Sequence, residues 1–310
     1  MDVSIIIPTY NRLWCLPQAI DSCRNTKCKT EIIVVDDGST DGTWAWLSQQ
    51  KDLTIVKQNH LGKCWAANQA FEMATGKYIR FLDSDDLLSK DAIDEQFQLA
   101  EEQGSDLVVS GYQIIDQQEN LLHQQLWLPC DDFIAQQLGE CDGSHYSAFL
   151  FTRELLHDIP HRPDYAFRDD RMLILEVAIK NPKLAIHRGY ALLHRRHEGH
   201  RLQFNLGLQH SVQNHQHLAI YSYIMDRLKS NDALTSRRIS AAINILWPLA
   251  HWMAKHHLND AIKLFNWIKE LDPEFKCPEK GGLLMAYRTL GFKKTQQLLR
   301  FRRVLKSKWL

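Results

Sequence analysis

Residues 77–86, KYIRFLDSDD, carry a strand-forming run from Tyr78 to Leu82 straight into three carboxylates, Asp83, Asp85 and Asp86. Like charges this close repel and raise one another's pKa, so their density asks for a compensating group. On an extended strand end, residues two apart point to the same side. That reading turns Asp83 and Asp85 to one side and leaves Asp86 facing away or capping the next helix. Two carboxylates on one rim suit a hard divalent cation such as Mg²⁺ or Mn²⁺, whose open positions phosphate oxygens can fill. The competing reading is an acidic turn with Asp86 as N-cap of a helix starting near residue 89. The motif by itself leaves both open.

Outward from this stretch, strands alternate with helices. VSIIIP, EIIVVD, LTIVKQ, KYIRFLD and DLVVSGY read as five strands, and GTWAWLSQQ, GKCWAANQAFEMATG and residues 89–103 as helices between them, Gly76 serving as a C-cap. The alternation predicts an α/β fold with a mostly parallel sheet covered on both faces. In such sheets ligands bind beyond the carboxyl ends of the strands. Pro8-Thr9-Tyr10-Asn11-Arg12, Asp36-Asp37-Gly38-Ser39 and Asp83-Ser84-Asp85-Asp86 would then meet at one crevice. Further on, FRDDRMLILEVA places Asp169 and Asp170 at the start of a helical run, and LAIHRGYALLHRRH reads as one or two strands. From about residue 205 the pattern is helical throughout, so the chain divides into 1–204 and 205–310.

The 310 residues hold 37 basic and 37 acidic side chains, a balance that argues against a nucleic-acid partner. The balance is uneven along the chain: residues 281–310 carry eight Lys/Arg and no Asp/Glu, leaving 29 basic against 37 acidic residues in 1–280. The seven cysteines are scattered without a CxxC pair, as in a reduced compartment. MDVSIIIPTYNR is no signal peptide, and AAINILWPLAHWMA, the most apolar stretch, is interrupted by Asn244, Pro248 and His251. The expected location is the cytoplasm.

The ordered set SIIIPTYNR, VVDDGSTDGT and ATGKYIRFLDSDD, each member following a strand, resembles the inverting glycosyltransferases of family two, which have the GT-A fold. The resemblance is strong over residues 1–115 and looser to 200; residues 205–310 resemble no known family. It implies that Pro8, Thr9 and Tyr10 lie beside the nucleotide base and ribose. Asp37 would recognise uracil through its imide N–H, and Asp36 would position the loop or reach the ribose. In the D-x-D motif, Asp85 would bind the metal, with Asp83 and Ser84 on the donor side. Lys63, at a helix start after NHLG, would reach the diphosphate, a solvated lysine being the alternative. The general base would be Asp170; Asp169 stands where the family commonly has Glu. His197 resembles a late histidine near the metal or diphosphate, with His194 and His200 competing for the assignment. Asp41 reads as turn chemistry, and His210, His215 and His217 as helix-surface residues without zinc spacing.

The expected function is metal-dependent inverting transfer of a sugar from a nucleotide donor, a UDP-sugar, to a hydroxyl on a cell-surface glycan or lipid-linked saccharide. Two alternatives stand beside it: a nucleotidyltransferase making the sugar nucleotide, although PTYNRLWC lacks the glycines of a phosphate loop, and a catalytically silent sugar-binding protein. In residues 293–310, Leu298, Phe301, Leu305 and Trp309 recur at helical spacing among Lys and Arg. That pattern suits either an anionic membrane surface at the inner face of the cytoplasmic membrane or a helix packed on the body. Gln297 to Phe301, QLLRF, mimics a motif of processive synthases, but without spans beside it the match reads as chance.

Overall fold

The computed structural model describes residues 1–141, 145–197 and 208–307. The chain forms two compact units: Met1–Phe133 with Asp142–His200, and Ile134–Cys141 with Arg201–Leu310. The division expected between 204 and 205 falls outside the described residues, and the segment 134–141 belongs with the helices of the second unit.

The first unit is built on a sheet that has nine strands among the described residues, in the order β3-β2-β1-β4-β8-β6-β9-β5, with β7 on β6. Its strands are β1 Val3–Thr9, β2 Thr30–Asp36, β3 Thr54–Lys57, β4 Tyr78–Phe81, β5 Leu87–Leu88, β6 Leu107–Ile115, β7 Leu121–Gln125, β8 Leu150–Thr152 and β9 Leu184–Arg195. The first four are parallel, and β1 and β2 are the buried β-branched runs expected of strands covered on both faces. All seven residues of β1 are buried. Beyond β4 the sheet is mixed: β8 is antiparallel to β4 and β6, β5 is antiparallel to β9, and β6 and β9 run parallel. The helices are α1 Leu16–Ser22, α2 Thr43–Leu47, α3 Lys63–Met73, α4 Ala92–Gln103, α5 Phe133–Ala135, α6 Arg153–Leu156 and α7 Asp169–Ile179.

Two features depart from the sequence reading. Gly76 does not cap α3; that helix ends at Ala74 in extended conformation. Gly76 is instead pressed against β1, its N–H donating to Ser4 Oγ at 2.8 Å, and a Cβ there would meet Ser4 N at 2.5 Å. Close backbone approach, not helix termination, requires glycine. The apolar run of β4 also contains a fully buried arginine. Arg80 donates to Gln96 Oε1 at 2.5 Å, to the carbonyl of Phe149 at 3.2 Å and to that of Ala191 at 2.7 Å. Burial pulls its guanidinium down to about 9.

The second unit comprises α8 Leu208–Ser230, α9 Ser236–Met253, α10 Leu258–Leu271 and α11 Gly281–Ser307, the last broken at Gly291. Thr235 caps α9 by accepting from Arg238 N. Trp247 centres an aromatic core with Phe265, Phe275, Tyr287 and Phe292. The 134–141 segment is tied in by Tyr221 Oη donating to the Leu138 carbonyl at 2.9 Å and by the Arg237–Glu140 ion pair. Among the described residues no helix is long and apolar enough to cross a membrane.

Candidate active site

β1, β2 and β4 run parallel, so their carboxyl ends open on one edge of the sheet. The first two loops are stitched together there. Asp37 N donates to the Thr9 carbonyl at 2.8 Å, and Asn11, held in the left-handed region, accepts from Thr40 N at 2.7 Å and donates its own N–H to Ser39 Oγ at 2.8 Å. Asp36 is fully buried and accepts from both the N–H and the hydroxyl of Ser39, an Asx-type turn. Asp41 accepts from Thr43 and Leu13, which is turn chemistry as read from the sequence. Pro8 and Thr9 are buried, while Tyr10 is exposed and stacks on His60 with centroids 4.1 Å apart.

Asp37, which the resemblance assigns to base recognition, has a carboxylate that gathers the loop before α3. Its oxygens accept from Gln58 Nε2 at 2.6 Å, Leu61 N at 2.7 Å and Gly62 N at 3.0 Å, and His60 Nδ1 lies 3.1 Å away. Gly62, at φ 103°, then turns the chain into α3. That turn delivers Lys63, the first residue of the helix, to the acidic stretch.

Residues 83–86 do not continue β4 as an extended strand end. They fold into a turn closed by Asp86 N donating to the Asp83 carbonyl at 2.9 Å. All three carboxylates therefore converge: one oxygen from each of Asp83, Asp85 and Asp86 lies within 4.8 Å of the others. Asp86 caps no helix; the chain passes into β5, and α4 has Asp91 before it without a side-chain cap. Ser84 is buried at the turn, its carbonyl accepting from Cys15 Sγ.

Each carboxylate has partners of its own. Asp83 meets Lys63 Nζ at 2.5 Å and accepts from Tyr146 Oη at 3.3 Å. Asp85 meets His197 Nε2 at 3.0 Å and Arg12 Nε at 3.5 Å. Asp86 accepts from Arg195 N at 2.9 Å and meets His194 Nδ1 at 3.1 Å. The electrostatics follow. Burial pushes Asp85 up, but His197 and Arg12 outweigh it and hold the carboxyl down at about 2. Burial and the neighbouring carboxylates lift Asp86 to about 6, against the pull of His194. Burial pulls the Lys63 ammonium down, yet Asp83 and Tyr146 keep it above its ordinary range. Burial and the His194 ring press His145, 5.0 Å from His194, down to about 3.

Tyr146 links this turn to α7. Its hydroxyl is held above the ordinary range by burial first, then by Asp83, with a smaller push from Asp170. Its ring also faces Lys63 Nζ, 5.3 Å from the centroid. Asp170 is half-buried in the first turn of α7, and Arg171 N donates to it at 2.8 Å. Its neighbour Asp169 is buried and bound by His161 Nδ1 and Arg162 N. His161 is itself pinned by paired hydrogen bonds to Asn68 of α3.

Lys63, Asp83 and Asp85 are thus brought together, with His197 on Asp85, while Asp170 stands on α7 and bears on Tyr146 only through its charge. Pro8, Thr9, Tyr10 and Asp37 flank them on the β1–β2 side. His194 also joins the turn, on Asp86; His200 lies outside the described residues. The sequence reading missed Tyr146, His145 and His161. All three sit in irregular segments distant from the motifs, and a polar aromatic such as Tyr146 within SHYSAF was the one available signal.

Residues 4–159 match the family model described as glycosyl transferase family 2. The chain belongs to this family. It is 29% identical over 143 residues to "Glycosyltransferase GlyG" of Streptococcus pneumoniae, covering 44% of this chain and 47% of that protein. Over 116 residues it is 38% identical to the Escherichia coli "UDP-Glc:alpha-D-GlcNAc-diphosphoundecaprenol beta-1,3-glucosyltransferase WfaP", covering 36% and 46% of the two chains. In both cases the match spans less than half of the relative. The fold is that of Staphylococcus aureus TarS: the crystal structure of TarS 1–349 in complex with UDP-GlcNAc superposes with a TM-score of 0.56 at 16% identity, over 98% of this chain and 92% of that one. The family member described here therefore has the GT-A fold, followed by a helical C-terminal region.

Proposed function

We propose that this chain transfers a sugar, with inversion, from a UDP-sugar to a hydroxyl of a cell-surface glycan or lipid-linked saccharide. The observation that carries the reading is the convergence of Lys63, the Asp83–Asp86 turn and Tyr146 beyond the carboxyl ends of β1, β2 and β4. UDP-GlcNAc bound to TarS and the lipid-linked acceptor in the name of WfaP support the choice of donor and acceptor class.

In this reading Tyr10 and Asp37 flank the nucleotide. Lys63 sits on Asp83 and is poised to move onto the diphosphate, a stronger anion. The acceptor hydroxyl gives its proton to Asp170 as its oxygen bonds to the anomeric carbon. The bond from that carbon to the phosphate oxygen breaks, and its electron pair leaves with UDP from the opposite face. The donor set suits a hard divalent cation: oxygens of Asp83, Asp85 and Asp86 lie close together, and Asp85 is held ionised. Asp85, joined by Asp83, would hold Mn²⁺ or Mg²⁺, with His197 beside it; the ion would supply charge stabilisation for the departing diphosphate. Lys63, Arg12 and His197 share those carboxylates, so the ion competes with built-in cations.

The exposed face of α11 supports a peripheral membrane contact. Lys293, Lys294, Leu298, Arg300, Phe301 and Arg302 point outward, while Phe292, Thr295 and Gln296 are buried. Leu305 and Trp309 lie among residues whose side chains are not described.

Titrating UDP into the chain with Mn²⁺ tests the site. Asp85→Ala, or chelation by EDTA, should weaken UDP binding by about tenfold or more, the scale of one charge-assisted contact. Equal affinity in all three conditions would remove the metal from this reading.

A further inference from the structure

We propose a zinc-binding site in the helical unit, formed by His215 of α8 with His257 and Asp260 at the start of α10. One ligand atom from each of the three lies within 4.8 Å of the others. The two imidazoles meet edge to face, with centroids 5.0 Å apart and planes at 84°. Imidazole nitrogen and carboxylate oxygen are ligands that zinc accepts, and three protein ligands with one open position make a recurring zinc geometry.

The hydrogen bonds around the cluster orient its rings as ligating histidines are oriented. His215 Nδ1 lies 2.8 Å from the backbone carbonyl of Ser211. A carbonyl can only accept, so Nδ1 carries a proton, and Nε2 is the ring nitrogen turned toward Asp260. This is the arrangement by which ligating histidines are oriented from behind. Nε2 then faces Asp260 Oδ2 at 3.4 Å. The separation is long for a hydrogen bond, but bonds of about 2.0–2.2 Å at tetrahedral angles put neighbouring ligand atoms roughly 3.3–3.5 Å apart. On the other side, His257 Nε2 lies 2.6 Å from Ser211 Oγ, so one serine steadies both rings. The remaining polar contact of Asp260 is Lys263 Nζ at 3.4 Å, on a side chain that is 80% exposed and free to swing away.

The site is open to solvent: the side chains of His215 and Asp260 are 42% and 37% exposed. An ion can enter without unfolding, and once bound it staples α8 to the first turn of α10. This is a task the helical unit can perform apart from sugar transfer.

The test uses the full chain, stripped with a chelator and titrated with Zn²⁺ against a chromogenic competitor, alongside Asp85→Ala, His215→Ala and Asp260→Asn. Asp85→Ala removes the acidic turn of the first unit as a source of signal. The wild type and Asp85→Ala should share one zinc site of equal affinity. His215→Ala and Asp260→Asn should weaken that site by about a hundredfold, since even partners behind the ligands are worth about 10–100-fold. Zinc should raise the melting temperature of the wild type and leave that of the two helical-unit variants unmoved, while Co²⁺ should give the visible absorption of a tetrahedral site. Zinc binding unchanged by His215→Ala and Asp260→Asn, or a wild type that takes up zinc only in the acidic turn, overturns the proposal.

Discussion

Replacing Asp170 by Asn separates the two halves of the proposed reaction. The side chain is half-buried at the first turn of α7, and it accepts from the N–H of the next residue. Asparagine has nearly the same shape and still accepts from Arg171 N, so that hydrogen bond survives. What is lost is the charge. At a helix N-terminus a carboxylate contributes about 0.3–1 kcal/mol. In a domain of this size that lowers the melting temperature by about 4 °C at most. The donor-side residues are carried by other elements: Tyr10 and Asp37 by the ends of β1 and β2, Asp83 and Asp85 by the turn after β4. UDP affinity should therefore stay within about twofold. Transfer should fall much further. A positioned general base contributes about 10²–10⁴-fold, which is about 2.7–5.4 kcal/mol of barrier at 1.36 kcal/mol per decade. The assay is UDP release from a UDP-sugar with and without acceptor, run beside calorimetric UDP titration and a thermal melt. Transfer within tenfold of wild type would move the base elsewhere. Parallel losses of UDP affinity and transfer would make Asp170 a structural or donor-side residue.

Gly76→Ala should destabilise the first unit by about 2 kcal/mol or more, because the new methyl would sit 2.5 Å from the Ser4 amide of β1; a denaturant midpoint equal to wild type would refute the close approach. Exchanging both Leu298 and Phe301, which are 56% and 65% exposed, for Ser should release the chain from anionic vesicles in a sedimentation assay without lowering its melting temperature. Equal binding by that variant would remove α11 as the membrane contact.

The fold of the first 115 residues was legible because its signals are local. β1, β2 and β4 are continuous apolar or β-branched runs, each followed by a polar cluster, and a parallel sheet brings such clusters to one edge whatever lies between them. The illegible parts depend on distant pairing. Asp37 reads as a free carboxylate after β2, yet its donors come from Gln58, Leu61 and Gly62, a loop that reaches it only once β3 has paired. Arg80 gives no signal of its own within the strand-forming run of β4, yet it is a buried donor to three partners distant in the chain. The acidic stretch was read by strand alternation, and a single backbone hydrogen bond from Asp86 to Asp83 turns it inward. His215 reads as a helix-surface residue beside His210 and His217, and the residues that meet it in the fold, His257 and Asp260, are over forty positions away.

Three carboxylates within 4.8 Å pose an energetic problem that the chain has already met. At that distance, with an effective dielectric constant near 20, each charged pair repels by roughly 3.5 kcal/mol. Three such pairs amount to roughly 10 kcal/mol, comparable to the whole stability of a domain. The fold answers with one partner set per carboxylate: Lys63 for Asp83, His197 and Arg12 for Asp85, the Arg195 amide and His194 for Asp86. Those contacts arrive from α3, from the loop after β1 and from the end of β9. Part of the compensation that the sequence argument asks for is thus supplied by the chain's own side chains. In the proposed reading a divalent ion would bridge carboxylates that are already held in place to the phosphates of the donor. For that reason chelation and Asp85→Ala are read in donor affinity, where the bridge is made, and not in the melting temperature, which the internal cations support.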